Sequence, residues 1–161
     1  MTFKPALVAL DIDGTIVSVD GDLPDEVRDA VRRVVAAGVP VVLTTGRAWA
    51  GTQIIFDALG LPPGPSVCAN GAMIVNYPPV EVVHEIRFDP ADSIKRAARL
   101  APNAAIAVTD GMLWRVSKPF PDGELNGEFV VESVEELASR PVSRIVVHDP
   151  ETDDDVFNEM V

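Results

Sequence analysis

Short, continuous apolar runs alternate with helical segments through the first 70 residues, and this alternation restricts the folds open to the chain. Ala6 to Leu10 and Val39 to Leu43 are apolar without alternation, as in strands buried on both faces of a parallel sheet. Helices are expected from Pro24 to a stop at Gly38 and from Ala48 to Leu59. A third strand is expected over Val67 to Ala69. The order strand, helix, strand, helix, strand predicts an α/β fold with right-handed crossovers.

The rest of the chain has a different, α+β pattern. Its predicted elements are antiparallel strands over 72–75 and 80–88, a helix from Asp89 to Ala101, a hairpin of 104–109 and 112–117 around Asp110-Gly111, a short helix begun by the capping box of Ser133 and Glu136, a strand from Ser143 to His148, and a helix from Thr152 to the last residue. We therefore expect one domain over 1–79 and a second over 80–161.

The composition narrows the classes of function. The 161 residues include 25 acidic and 13 basic side chains, for a formal net charge of −12. Because such a chain repels phosphate backbones and anionic headgroups, nucleic-acid and membrane-surface binding are disfavoured, and a small anionic substrate would need a bridging cation. No apolar run approaches the ~18 residues of a membrane span. The single cysteine, Cys68, allows no internal disulfide and favours a reducing cytoplasm.

The most informative motif is Asp11-Ile12-Asp13-Gly14-Thr15, at the end of the first predicted strand. In the simplest interpretation it is a polar turn. In the chemical interpretation, one carboxylate attacks phosphorus and the other transfers protons. Two carboxylates would repel an anionic substrate, so a hard cation such as Mg²⁺ with oxygen ligands is expected beside them.

Two further motifs follow the second and third predicted strands. Thr45 follows the second strand, and Asn70 with Gly71 follows the third. Each alone is typical of a turn. In a parallel sheet, however, the carboxyl ends of the strands form one edge, so the hydroxyl of Thr45 is predicted to lie near Asp11 and to bind a phosphoryl oxygen.

Together, the three motifs resemble those of the haloacid dehalogenase superfamily of phosphohydrolases. Residues 11–15 are similar to its first motif, and Thr45 is similar to its second. The sequence at 45–47, followed by Asn-Gly-Ala at 70–72, looks like the Cof-type branch, whose large cap domain is inserted after the third core strand. The resemblance covers residues 1 to about 80 by motif and the rest by layout alone.

The resemblance implies a Mg²⁺-dependent phosphatase with a Rossmann-like parallel-sheet core followed by an α+β cap, both partial in this chain. Asp11 would be the nucleophile and a metal ligand. Asp13 would be the general acid/base and would offer the metal its main-chain carbonyl oxygen. The other residues expected to bind the phosphoryl group or to line the pocket are Gly14, Thr15, Thr45, Gly46, Arg47 and Asn70. The substrate would be a sugar phosphate or a phosphorylated cofactor precursor.

The family also uses a lysine and a late acidic motif, and the residues of this chain that could serve as them match the family pattern only in part. Lys118 follows a serine, as in the family, but Pro119 and Pro121 stand where the family begins a helix. Asp149 with Asp153 would suit a small phosphatase without a cap, although the expected preceding glycine is missing. The preferred interpretation is that the chain ends within the cap. The uncovered sheet edge and apolar cap surface then predict self-association of the chain.

Two other functions stay open at this point. A non-catalytic domain that senses phosphate or a metal would retain the three motifs and lack the lysine and the late acidic motif. A phospho-acceptor signalling domain would carry its acceptor at the end of the third strand, where this chain has Asn70.

Overall fold

The computed structural model describes residues 5–150, and the chain divides into two compact units, residues 1–85 and 86–161. The first unit contains, in chain order, β1 (Val8–Leu10), α1 (Asp25–Ala36), β2 (Val41–Leu43), α2 (Trp49–Leu59), β3 (Gly64–Cys68), a short 3-10 helix (Ala69–Gly71), β4 (Met73–Tyr77) and β5 (Glu81–Glu85). The second contains α3 (Ala91–Leu100), β6 (Ala105–Asp110), β7 (Leu113–Val116), β8 (Phe129–Val131), α4 (Val134–Leu137) and β9 (Arg144–His148).

The sheet of the first unit begins with parallel strands and continues with antiparallel ones. β1 pairs in parallel with β2, with Val8 opposite Val41 and Leu10 opposite Leu43. A parallel bridge between Thr44 and Val67 joins the end of β2 to β3. β3, β4 and β5 then form an antiparallel sheet. The predicted α/β class is therefore confirmed.

The core of the first unit holds these strands against the two helices. Its buried members are Ile12, Ile16, Val17, Val31, Leu43, Ile55, Phe56, Leu59 and Leu61. α2 ends where predicted, because Gly60 has a left-handed φ of 67° and the cap N–H reaches back to the last turn. Pro24 is the N-cap of α1 rather than its first helical residue.

All five strands of the first unit have limits that differ by one to three residues from the sequence expectation. β3 ends at Cys68 rather than at Ala69, because Ala69 has a φ of 52° and leaves the extended conformation. β5 pairs with β4, so the division of the chain falls after Glu85, whereas the sequence pattern placed the domain boundary after residue 79. In the second unit, the short strand β8 was not predicted from the sequence.

The second unit is an α+β fold, as the sequence indicates. Its four strands lie in the order β8-β7-β6-β9, and β6 with β7 forms the predicted hairpin, with Asp110 opposite Leu113. Ser133 and Glu136 form the predicted capping box at the start of α4. The buried apolar residues shared by the strands and helices are Ile94, Ala97, Ile106, Val108, Leu137, Ala138 and Val142.

The helix expected from Thr152 onward lies outside the described residues. Among residues 5–150, every helix is too short or too polar to cross a membrane.

Candidate active site

The loops that follow β1, β2 and β3 are joined by main-chain hydrogen bonds at one edge of the sheet. The N–H of Thr44 donates to the carbonyl of Leu10 at 2.8 Å, and that of Thr45 donates to the carbonyl of Val67 at 2.9 Å. The N–H of Asn70 donates to the carbonyl of Thr45 at 3.1 Å. The three loops predicted from the motifs therefore lie side by side.

A depression of about 350 Å³ opens between these loops. It is lined by Asp11, Thr44, Thr45, Gly46, Val67, Asn70 and Gly71. Four of these residues, Asp11, Thr45, Gly46 and Asn70, were singled out from the sequence. Gly71 belongs to the Asn-Gly motif after the third predicted strand, although no binding role was assigned to it. Thr44 precedes Thr45 in the chain, and Val67 is joined to Thr44 by a parallel bridge.

The loop after β1 is closed on itself and presents Asp11 to solvent. Ile12 is fully buried beneath the loop, and its carbonyl accepts the N–H groups of Ile16 and Val17 at 3.0 and 2.9 Å. Gly14 has a left-handed φ of 70°, which favours glycine. The hydroxyl of Thr15 donates to Oδ2 of Asp11 at 3.1 Å. Gly14 and Thr15 thus shape the loop and orient Asp11, and neither lines the depression.

Thr45 is the buried polar residue of the depression, with 5% of its surface exposed. Its Oγ1 accepts a hydrogen bond from the main-chain N–H of Arg47 at 3.1 Å. A hydroxyl group has one donor and two acceptor sites, so the Thr45 hydroxyl proton is left to be donated. This geometry suits a ligand oxygen that lies beside Asp11.

Arg47 binds the carboxylate of Asp13 and does not line the depression. Its Nε donates to Oδ1 and Oδ2 at 3.1 and 2.9 Å, and its Nη2 donates to Oδ1 at 2.6 Å. These hydrogen bonds, aided by the positive charge, hold the pKa of Asp13 below its usual value, against the opposite effect of partial burial. The sequence carried no signal of this contact, because the two residues are 34 positions apart.

The loop after β3 has an unusual backbone. Ala69, Asn70 and Gly71 have φ values of 52°, 54° and 95°. A Cβ atom added to Gly46 would lie 2.9 Å from Oδ1 of Asn70, closer than such atoms approach one another. Glycine at position 46 therefore leaves room for the Asn70 amide at the wall of the depression.

The described candidates for the lysine and the late acidic motif belong to the second unit. The ammonium group of Lys118 donates to the main-chain carbonyl of Asn103 in the second unit. Asp149 lies just after β9 in the same unit, and Asp153 is outside the described residues. Within residues 5–150, no three His, Cys, Asp or Glu side chains converge in a way that would hold a metal ion.

Comparisons with known proteins agree with this arrangement. A family model described as haloacid dehalogenase-like hydrolase matches residues 8–156. The putative phosphatase YxeH of Bacillus subtilis (strain 168) is 43% identical over 82 residues, which are 50% of this chain and 30% of that protein. The 5-amino-6-(5-phospho-D-ribitylamino)uracil phosphatase YwtE of the same organism is 36% identical over 67 residues, which are 42% of this chain and 22% of that protein.

The solved structures show the same fold over a longer stretch. The sugar phosphatase BT4131, of HAD subclass IIB, matches with a TM-score of 0.71 and 20% identity, over 95% of this chain and 62% of that one. The matched regions span less than a third of the two curated relatives and less than two thirds of the solved structure. Because the family model covers nearly all of the described residues, the chain belongs to the haloacid dehalogenase-like hydrolases.

Proposed function

We propose that the protein is a Mg²⁺-dependent phosphatase that hydrolyses a small phosphorylated metabolite. One observation carries the proposal: the exposed carboxylate of Asp11 and the buried hydroxyl of Thr45 line the same depression. A nucleophile and a hydrogen-bond donor that face one space are the minimum needed to attack and to hold a phosphoryl group.

The proposed reaction has two displacements at phosphorus. A carboxylate oxygen of Asp11 attacks phosphorus, the bond to the leaving oxygen breaks, and that oxygen takes a proton from Asp13. Water then attacks the same phosphorus and gives a proton to Asp13, which releases inorganic phosphate and restores the Asp11 carboxylate. Asp13 donates one proton and regains one, so its protonation is unchanged over the cycle. Because the contact with Arg47 lowers the pKa of Asp13, the protonated form is scarce but gives up its proton readily.

The oxygen donors of the site fit Mg²⁺. Mg²⁺ is commonly bound by one or two carboxylates together with waters and substrate phosphate, rather than by a cage of protein ligands. Asp11 would supply a carboxylate oxygen and Asp13 its main-chain carbonyl oxygen, since the Asp13 carboxylate is engaged by Arg47. When bound, the metal would offset the negative charge of Asp11 and of the phosphoryl group.

Sugar phosphates and related phosphoesters are the proposed substrates. The depression of about 350 Å³ has the size of a phosphoryl group with part of a small leaving group. BT4131 is described as a sugar phosphatase, and YwtE as a phosphatase of a phosphorylated ribitylamino-uracil. We also propose a cytoplasmic location for the protein, because its one cysteine, Cys68, is a buried free thiol.

The decisive experiment is the Asp11→Asn substitution in the protein expressed to its natural stop codon. Turnover of an alkyl phosphoester with Mg²⁺ should fall to background, because an amide does not attack phosphorus. Asp29→Asn on the exposed face of α1 is the matched control and should retain full activity. Wild-type rates in the Asp11→Asn variant would end the proposal.

A second function is favoured by one observation. No lysine lines the depression, and no three acidic or metal-binding side chains converge within the described part of the chain. A domain that binds phosphate without hydrolysing it would need neither the lysine nor a complete set of metal ligands. It predicts that orthophosphate and Mg²⁺ bind, as followed by calorimetry, while no phosphoester is hydrolysed.

A further inference from the structure

The guanidinium of Arg47 is directed at Asp13 rather than at the depression. Two of its nitrogens, Nε and Nη2, contact both oxygens of the carboxylate. The side chain of Arg47 is 25% exposed and that of Asp13 is 59% exposed. Neither residue belongs to the lining of the depression, which includes the neighbouring Thr45 and Gly46. The guanidinium is therefore hydrogen-bonded to Asp13 and to Gly51 rather than to a residue that lines the depression.

The backbone of Arg47 is held on both sides by hydrogen bonds. Its N–H donates to Oγ1 of Thr45 at 3.1 Å, and its carbonyl accepts the N–H of Ala69 at 2.8 Å. The guanidinium is also supported by the carbonyl of Gly51 in α2, at 3.5 Å from Nη1. The loop after β2 and the start of α2 together place the guanidinium beside Asp13.

Asp13 depends on this contact for its orientation. Its loop is closed by the N–H of Gly14, which donates to the carbonyl of Val17 at 3.0 Å, but these bonds fix the backbone only. Of the side chains described, that of Arg47 alone is recorded in hydrogen bonds to the Asp13 carboxylate. A carboxylate has about four acceptor sites, so Oδ2, which accepts one N–H, keeps a site for a proton.

We infer that Arg47 is a positioning residue, which orients the Asp13 carboxylate for proton transfer and does not itself bind the phosphoryl group. The inference rests on the proposed function, in which Asp13 carries the proton. Arginine is required because its planar fork contacts both carboxylate oxygens, whereas a lysine offers one point of attachment.

Binding of orthophosphate in the presence of Mg²⁺ tests the first half of the inference without any turnover. Arg47→Ala should change the dissociation constant by no more than about twofold, whereas Thr45→Val, which removes the inward hydroxyl, should weaken binding by about tenfold. A tenfold or larger loss in Arg47→Ala would make the arginine a phosphate ligand and overturn the inference.

The leaving group tests the second half. Alkyl phosphates need a proton on the leaving oxygen, whereas p-nitrophenyl phosphate releases a stable anion and needs little acid assistance. Arg47→Ala should therefore lower kcat/KM by about 10- to 100-fold for an alkyl phosphate and by much less for p-nitrophenyl phosphate. Arg47→Lys should recover little of the loss. An equal loss on both substrates, with KM raised, would overturn the inference.

A double substitution separates this inference from the proposed function. In an Asp13→Asn background, Arg47→Ala should cause almost no further loss, because the group that it orients is already absent. Independent, multiplicative losses would refute the positioning role. If Asp11→Asn retained wild-type turnover, the proposed function would fail, while the phosphate-binding and leaving-group comparisons would still decide what Arg47 does.

Discussion

Oδ1 of Asn70 occupies the space beside Gly46 in which any other residue would carry its Cβ atom, at 2.9 Å. Gly46 does not have the left-handed φ that favours glycine, so the requirement for glycine is steric rather than conformational. The two residues come from loops after different strands and meet at the wall of the same depression.

This contact predicts the effect of Gly46→Ala. The added methyl group should displace the Asn70 amide, which ends an exposed side chain, so the loss of stability should stay within about 1 kcal/mol while binding of orthophosphate weakens. Calorimetric titration and chemical denaturation measure the two effects. Asn70→Gly should relieve the clash, so that Gly46→Ala has little further effect on orthophosphate binding in that background. Equal effects in both backgrounds would show that the contact is unimportant.

Cys68 should be protected from thiol reagents in the folded protein. It is fully buried, and desolvation raises the pKa of its thiol, so the reactive thiolate is scarce at neutral pH. Its Sγ also lies 3.5 Å from Oγ1 of Thr52, to which it donates. Reaction with a disulfide reagent should be slow in buffer and fast in urea. Rapid labelling of the folded chain would contradict the burial.

The start of α4 should be stabilised by Glu136 in a pH-dependent way. Hydrogen bonds from the main-chain N–H and the hydroxyl of Ser133 lower the pKa of Glu136 below its ordinary value of 4.5. Because the folded-state pKa is depressed, the stabilisation is present above the unfolded-state pKa and is lost as the pH falls through the folded-state pKa.

Hydrogen exchange of the α4 amides measures this contribution. Glu136→Gln should speed exchange at neutral pH, and the difference from the wild type should disappear under acidic conditions. Glu135→Gln, at the adjacent exposed position, is the control and should have little effect. A pH-independent difference would mean that the charge of Glu136 is irrelevant to the cap.

The free edge of β1 should cause the 161-residue chain to self-associate. Among residues 5–150, β1 is paired on one side only, with β2, and Leu7 beside it is half exposed. An open, apolar strand edge is a template for pairing with another chain. Leu7→Lys should shift sedimentation toward monomer, whereas Val19→Lys, at a residue 98% exposed in a loop, should not. A monodisperse wild-type monomer would contradict the prediction.

The order of strands and helices was predictable because buried apolar residues recur along the sequence with the period of a strand or of a helix. The run before Asp11 and the stop at Gly60 reflect local rules, and the hairpin around Gly111 and the capping box of Ser133 do as well. Parallel pairing of β1 and β2 then followed from topology, which brought Asp11 and Thr45 to one depression.

The tertiary contacts of the site were less predictable, because they depend on side chains that approach from distant loops. The Arg47 contact with Asp13 spans 34 positions, and the sequence assigned Arg47 to the pocket lining instead. The left-handed turn at Ala69 was also missed, since alanine gives no signal of a positive φ. β8 is three residues long and fully at the surface, which left too little pattern to detect.

The main-chain hydrogen bonds that join the three loops determine which parts of the site are free to vary. Thr45 to Val67, Asn70 to Thr45 and Ala69 to Arg47 are backbone contacts, so the frame of the depression does not depend on which side chains line it. The spacing around Asp11 is therefore set by the main chain rather than by the exposed side chains that line the depression. Under the proposed function, the exposed side chains of the rim would decide which leaving group fits, while the backbone would hold Asp11 and Thr45 in place.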